Sequence, residues 1–327
     1  METGKISESV LKRSVLKQIK KRREEVILGA AVGEDCTALD IPADELVVMS
    51  VDPITGAEKD IGKLAVNVTV NDLASAGAEP VGLMLSILLP VGFEEQELKE
   101  MMASIDAECE KLGVEIMGGH TEITGVVTQP VITVAGVGRA HKNRLIATQN
   151  VQPGNDIVAT KWIALEGTSI IAKEKREELL KKFAPSFVDA AASFSDYISV
   201  YKDSRIALAN GVTAMHDVTE GGIFGALWEM AEGSMVGLDI DLKSIPIRQE
   251  SVEICNFYDI NPYLLISSGC MLMAAENGYD LVRALKQQGI EAAVIGKATD
   301  GNDRIIRNGE EVRYLEPPKP DELYKVV

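Results

Sequence analysis

A lysine, two asparagines and an aspartate lie along one apolar stretch of this 327-residue chain, DIGKLAVNVTVNDLASAGAEP from Asp60 to Pro80. The stretch reads as one helix over Asp60–Ala76, stopped by Gly77. Lys63, Asn67 and Asn71 step by four and share a helical face, with Asp72 on the adjoining edge. Polar groups inside an apolar helix are costly unless something pairs with them. A polyphosphate carrying Mg2+ pairs with both kinds, since the lysine meets phosphate oxygens and the carboxylate meets the metal. The competing reading is a solvated stripe, and Asp72 favours a binding wall over it.

Four more segments supply similar groups. Gly33-Glu34-Asp35-Cys36 is a glycine turn into an acidic pair, by itself equally a solvated turn. Asp52 ends a strand in Ser50-Val51-Asp52-Pro53, as a ligand or as a turn cap. Met117-Gly118-Gly119-His120-Thr121-Glu122 ends another strand, where paired glycines let backbone approach a phosphate. Met215-His216-Asp217-Val218-Thr219-Glu220-Gly221-Gly222 reads as strand, turn and helix start. Its free N–H groups form an anion site, unless Thr219 simply caps the helix. There is no G-x-x-x-x-G-K-[ST] and no G-x-G-x-x-G. His120 and His216, two of three histidines, lack the further soft ligand that zinc needs. Cys36 has no base tied to it by spacing and reads as a buried structural thiol.

Composition limits the partners. A net charge of −17 with no basic stripe excludes nucleic acid, and no stretch approaches a membrane span. The first residues lack the apolar core of a signal peptide. Four widely spaced cysteines form no C-x-x-C, which points to reduced thiols in a cytoplasmic protein.

The elements that must position these groups follow from periodicity. An amphipathic helix is expected over Ser7–Arg23 and a buried strand over Leu46–Val51. After the Asp60–Ala76 helix come a strand over Val81–Leu89, a helix over Glu94–Leu112, and strands over Val114–Met117 and Val131–Val137. That order points to an α/β sandwich with helices on one sheet face. Turn residues cluster over Ala147–Asn155, after which the pattern restarts. Beyond it we expect a strand over Asp156–Thr160 and helices over Thr168–Lys182 and Ser186–Asn210. Short strands over Leu264–Ile266, Met271–Ala275 and Ala292–Ile295 follow, with a helix over Tyr279–Gln288 and a hairpin at Asn308-Gly309. The tail EPPKPDELYKVV is expected on the surface.

In this order the five segments resemble the aminoimidazole ribonucleotide (AIR) synthetase, or PurM-like, superfamily. It also holds the hydrogenase maturation dehydratase HypE, thiamine-monophosphate kinase and selenophosphate synthetase. GEDCTAL resembles its G-[DE]-D-A-A segment, SVDP its T-T-D strand end, and the Asp60–Pro80 stretch its G-x-x-A-x-x-x-x-N-D helix. GGHTE and HDVTEGG are similar to its remaining nucleotide segments, while GKISESVLKRSVLKQI and VGEDC are most like the hydrogenase-maturation branch. The resemblance implies a two-domain α/β (α+β) fold: residues 1–150 bind ATP and dimerise, and residues 151–327 form a C-terminal α/β sandwich. In the implied homodimer each N-terminal domain gives four strands to a β-barrel. Asp35, Asp52, Asp72 and Asp217 are the implied metal ligands, and Lys63, Asp72 and His120 the implied catalytic groups. Asn71, Gly118, Gly119, Thr121, His216, Thr219, Gly221 and Gly222 are the implied nucleotide contacts.

The implied chemistry is ATP- and Mg2+-dependent phosphorylation of an oxygen on a small-molecule substrate. The alternatives are a non-catalytic ATP-binding scaffold with a maturation partner protein, and a phosphotransferase like thiamine-monophosphate kinase. Three departures bear on this. His120 stands where the hydrogenase branch places an acidic ligand, and Leu165-Glu166-Gly167 replaces its Asp-His-Gly. The chain ends Tyr324-Lys325-Val326-Val327, without the cysteine that carries the dehydrated group in that branch, so dehydration in cis is not expected. The N-terminal Cys or Sec with a nearby lysine of the selenium branch is not evident either.

Overall fold

Glu79–Leu89 is apolar at almost every position, the composition of a strand covered on both faces, and it takes a central place in its sheet. The computed structural model describes every residue except Glu2, Asp35 and residues 56–59. The chain divides into two compact units, Met1–Leu73 with Ala78–Leu145, and Ala74–Gly77 with Ile146–Val327.

The first unit runs β1 (Glu45–Ile54), α1 (Ile61–Ser75), β2 (Glu79–Leu89), α2 (Glu95–Leu112), β3 (Glu115–Ile123) and β4 (Val131–His141). Four long strands lie in the order β3-β2-β4-β1, with the two-residue strand Gly4–Lys5 outside β3. Helix α2 starts at a capping box of Glu94 and Glu97 and stops at Gly113, whose φ of 73° is left-handed. Two glycines set the layering. A Cβ at Gly136 in β4 would sit 2.5 Å from Thr69 of α1, and one at Gly62 in α1 would sit 2.8 Å from Ile105 of α2. Helix α1 therefore lies directly on the sheet with α2 against it, an arrangement that side chains at either position would wedge apart.

Strand β1 is not the buried strand expected at Leu46–Val51. It is an edge strand whose pleat turns Leu46, Val48, Ser50 and Asp52 toward the helices. Val47, Met49 and Val51 face outward and are 53%, 67% and 63% exposed. Burial on one face depends on what covers the sheet, which an apolar run cannot encode. The first helix also ends early, at Gln18 rather than Arg23, after short α, π and 3-10 turns. Beyond it, acidic side chains capture the backbone: Lys20 N donates to Asp106 (2.8 Å) and Arg23 N to Glu115 (2.6 Å). Cys36 is exposed, contrary to the buried thiol expected there, while Cys109, Cys255 and Cys270 are buried.

The second unit holds a seven-stranded sheet. Its strands are β5 (Asp156–Thr160), β6 (Val212–Asp217), β7 (Gly237–Asp241), β8 (Met271–Ala275), β9 (Ala292–Thr299), β10 (Arg304–Asn308) and β11 (Glu311–Tyr314), in the order β11-β10-β7-β9-β5-β8-β6. Its helices of eight residues or more are α3 (Leu165–Glu174), α4 (Pro185–Ala192), α5 (Tyr201–Ala209), α6 (Gly222–Ser234), α7 (Gln249–Tyr258) and α8 (Gly278–Gln287), with a separate turn of helix over Arg176–Leu179 where the expected Thr168–Lys182 helix breaks at Lys175. Alternation along β5 places Ile157 and Ala159 in a core with Leu227 and Met230 of α6. Val158 joins the opposite core with Leu281 and Leu285 of α8. The sheet is thus covered on both faces.

Three further expectations for this unit are corrected. The single helix over Ser186–Asn210 is broken: α4 gives way to a 3-10 turn over Ser193–Tyr197 before α5, and Lys161 Nζ donates to the Ser199 carbonyl (2.9 Å) in the gap. Leu264–Ile266 is not a strand. Asn261 caps a 3-10 turn over Pro262–Leu264 by accepting from Tyr263 N. The tail does not simply lie on the surface either, since Asp321, Glu322 and Leu323 are buried.

Candidate functional site

Alternation in the first unit decides which predicted groups meet. Ser50 and Asp52 lie two apart on β1 and share its helix-facing side, and Asp72 projects from α1 above them. The Ser50 hydroxyl donates to Asp72 Oδ2 and lies 3.3 Å from Asp52 Oδ2. One hydroxyl thus stands between two carboxylates, and like charges this close favour a cation beside them. The residues fit Mg2+, which is held by one or two carboxylates and completes its shell with water and phosphate oxygens. Among the described residues no three His, Cys, Asp or Glu side chains gather around one point. Asp35 lies outside the described residues, and Asp217 belongs to the second unit.

The polar row on α1 is no solvated stripe. Asn67 and Asn71 are buried, and Asn67 Nδ2 donates to the Lys63 carbonyl (2.9 Å). Asn67 thereby serves its own helix. Lys63 is half-buried one turn before it, nine residues from Asp72 or about 14 Å along the axis at ~1.5 Å per residue. The same nine residues turn Lys63 about 180° around the axis from Asp72, so the two side chains leave opposite faces of α1 and the single wall expected from the sequence is not formed.

The GGHTE segment is split by the pleat. Cross-strand partners share a face, so the row Asp52–Val134–Leu85–Gly119 lies on the helix side. The row Pro53–Thr133–Ser86–His120 lies on the other. His120 is therefore across the sheet from Asp52 and Asp72, with Nε2 3.1 Å from Glu122. Gly119 is glycine for a packing reason: its φ is 147°, and a Cβ would fall 2.0 Å from the Leu85 carbonyl oxygen. A cleft of about 90 Å³ joins Gly33 and Glu34 to Gly118, Gly119, His120 and Thr121, with Lys5 on its wall. Two segments read separately in the sequence thus share one cavity. The N-terminal Lys5 was not anticipated; its Gly4–Lys5 strand pairs with Glu122 and Ile123 of β3, and two residues give too short a pattern to read.

In the second unit β6 is an edge strand ending at the buried Asp217, and His216 Nε2 lies 3.0 Å from Glu229 of α6. No side chain caps α6, so Thr219 does not cap it; its carbonyl instead accepts from Gly222 N (3.1 Å). The Gly221 N–H donates to Asp321 Oδ2 (2.8 Å). The donor expected to meet an anion thus holds a carboxylate of the chain's own tail. Tyr324 OH bonds Glu220 (2.6 Å), and Asn261 N donates to Glu322 (3.3 Å). Glu166, 5% exposed, adjoins this cluster with one carboxylate oxygen unpartnered among the described residues. Burial pushes Glu166 up to about 7, helped by the charges of Asp321 and Glu220 and opposed by Ser268. Burial raises Asp321 as well, against the backbone N–H groups that lower it. Asp321 did not stand out in the sequence, because it depends on a partner far along the chain, and Glu166 drew notice only as part of Leu165-Glu166-Gly167.

Comparison with known proteins agrees with this architecture. Residues 33–140 match the family described as AIR synthase related protein, N-terminal domain, and residues 152–307 its C-terminal domain. A hydrogenase expression/formation protein of Methanocaldococcus jannaschii is 30% identical over 314 residues, covering 93% of this chain and 90% of that protein. The chain belongs to the AIR synthase-related family. Within this superfamily of enzymes it stands near the hydrogenase-maturation branch. The carbamoyl dehydratase HypE of Rhizobium leguminosarum is 30% identical over 84% of this chain and 79% of its own length. Among solved structures, HypE in complex with ATP superposes with a TM-score of 0.83 at 20% identity, over 99% of this chain and 97% of that one. HypE from a HypE–HypF complex does so at 0.73 and 24% identity, over 83% and 90%. At these identities the structures show the PurM-like two-domain fold that the family shares. Among the described residues no helix is long and apolar enough to cross a membrane.

Proposed function

We propose that this AIR synthase-related protein binds ATP with Mg2+ and phosphorylates an oxygen of a small molecule, making that oxygen a leaving group. The observation that carries the reading is the Asp52–Ser50–Asp72 cluster, two carboxylates convergent on one hydroxyl at the sheet–helix junction. Asp52 and Asp72 hold the metal, whose bound charge offsets the negative charge that builds up on a transferred phosphoryl group. Gly118, Gly119, Thr121 and Lys5 wall a separate cleft with Gly33 and Glu34, three strands across the sheet from β1. The ATP complex known for HypE and the carbamoyl dehydratase name of the relatives support a nucleotide and an activated amide-type oxygen.

The test is ADP release with Mg2+ and ATP across a panel of thiocarboxamides, amides, carboxylates and phosphorylated metabolites. We expect one class to raise the rate at least tenfold above the substrate-free level. If no class does so while ATP still binds, the protein is a nucleotide-binding scaffold instead.

The outward row Val47, Met49 and Val51 supports a homodimer joined through the open face of β1, because large apolar side chains on an uncovered sheet face mark an interaction surface. Met49→Asp is expected to raise the dimer dissociation constant at least tenfold in sedimentation velocity. An unchanged sedimentation coefficient across a dilution series would place the interface elsewhere. The HypE–HypF complex supports a maturation partner protein as well.

A further inference from the structure

The second unit contains an open-mouthed cavity of about 430 Å³ that the proposed ATP chemistry does not use. It lies between the first turn of α6, the 3-10 turn over Pro262–Leu264, the β10–β11 hairpin and the strap Leu315–Lys319. We propose that this cavity is a second small-molecule site, and that it takes an uncharged, flat aromatic or heteroaromatic molecule of one or two rings.

Four observations lead there. The volume falls within the range of small-molecule sites, about 300–1,000 Å³. Phe224 and Tyr263 present a stacked ring pair on its wall, centroids 5.1 Å apart and planes at 11°, beside Leu242 and Ile306. Flat rings pack against such a pair by stacking or edge contact. The charged groups at its border pair with one another, Arg313 with Glu311 and Lys319 with Glu316, so no cation or anion is singled out for a charged guest.

The fourth observation is Gly225. A glycine inside a helix is unfavourable relative to alanine, and here no left-handed backbone calls for one. A Cβ at this position would meet only ordinary contacts, 3.5 Å from the Glu220 carbonyl and 3.8 Å from Pro318. A larger residue would fill part of the void, and filling an apolar void stabilises a protein. The sequence leaves it open at a cost to its own helix.

The walls are also braced against collapse. Pro317 and Pro318 stiffen the strap. Just beyond them Asp321 accepts from Gly221 N, Tyr324 bonds Glu220, and Leu323 is buried. The roof is therefore anchored to the helix start that forms the opposite wall.

The experiment is saturation-transfer NMR on the full chain with indole, 2-naphthol and quinoline as probes. Saturable transfer to at least one probe is expected, unchanged by saturating Mg2+-ATP. Gly225→Leu, which fills the cavity, and Tyr263→Leu, which removes a ring, are each expected to weaken it at least tenfold with an unchanged circular dichroism spectrum. If Gly225→Leu does not fold, Gly225→Ala takes its place, with a smaller loss of at least threefold. Absence of saturable transfer to all three probes would overturn the proposal. Binding that folded variants leave unchanged, or that ATP displaces, would do so too. ATP binding measured in the same samples keeps this outcome separate from the proposed phosphoryl chemistry.

Discussion

Asp72→Asn is expected to weaken ATP binding in the presence of magnesium about 100-fold, while leaving the fold intact. Asparagine has the shape of aspartate and still accepts from the Ser50 hydroxyl, so the junction between α1 and β1 keeps its hydrogen bond. What disappears is one negative charge beside Asp52. Losing one partner of a desolvated charge pair costs about 2–5 kcal/mol, and ~3 kcal/mol corresponds to the expected factor. Without magnesium the sign reverses, because removing a carboxylate relieves its repulsion of the triphosphate. Titration calorimetry with and without Mg2+ reads both arms. Equal metal dependence in the variant and the natural protein would move the metal site away from this cluster.

The second large effect concerns stability and pH. Glu166 titrates near 7 in the folded chain, against an ordinary carboxylate value of 4.5. Its folded form therefore keeps a proton that the unfolded chain gives up. The contribution is fully present below pH 4.5 and is lost as the pH rises through about 7. The shift of about two and a half pH units corresponds to about 3 kcal/mol. Glu166→Gln mimics the protonated form and escapes this loss. It is expected to match the natural protein near pH 4.5 and to be more stable by about 3 kcal/mol at pH 8, a rise of several degrees in melting temperature. Parallel melts at the two pH values test this. A constant difference between the two proteins across that range would show that Glu166 is not the titrating group. Glu25 in the first unit works oppositely. Its hydrogen bond with Arg23 holds it down at about 2, so its contribution is present above 4.5 and is lost as the pH falls from there through about 2.

Helix α1 was readable almost to the residue, because its apolar run is long and Gly77 marks its end. The strand–helix order of the first unit followed from periodicity in the same way. The pairing of Asp72 with Ser50 was not readable, since it depends on which side of the pleat Ser50 occupies and on where α1 lands on the sheet. The same pleat separates His120 from both aspartates, although a linear motif sets GGHTE out as one unit. Glycines were readable as punctuation but not as to cause: Gly119 answers to the Leu85 carbonyl. The tail was hardest. Asp321 follows prolines and precedes a short 3-10 turn, so it looks like a local cap, and only the folded chain brings it to Gly221.

Strand β1 has a consequence for the life of the protein in a cell. A single copy carries an edge strand whose outer row is valine, methionine and valine, the kind of surface that recruits any other unpaired strand. Newly made chains have nothing over this edge, so it is open to such contacts from the moment of synthesis. Mutual repulsion from a net charge of −17 discourages promiscuous association. Salt screens that repulsion, so concentration and ionic strength together set how readily copies associate through this edge, independently of how well each copy folds.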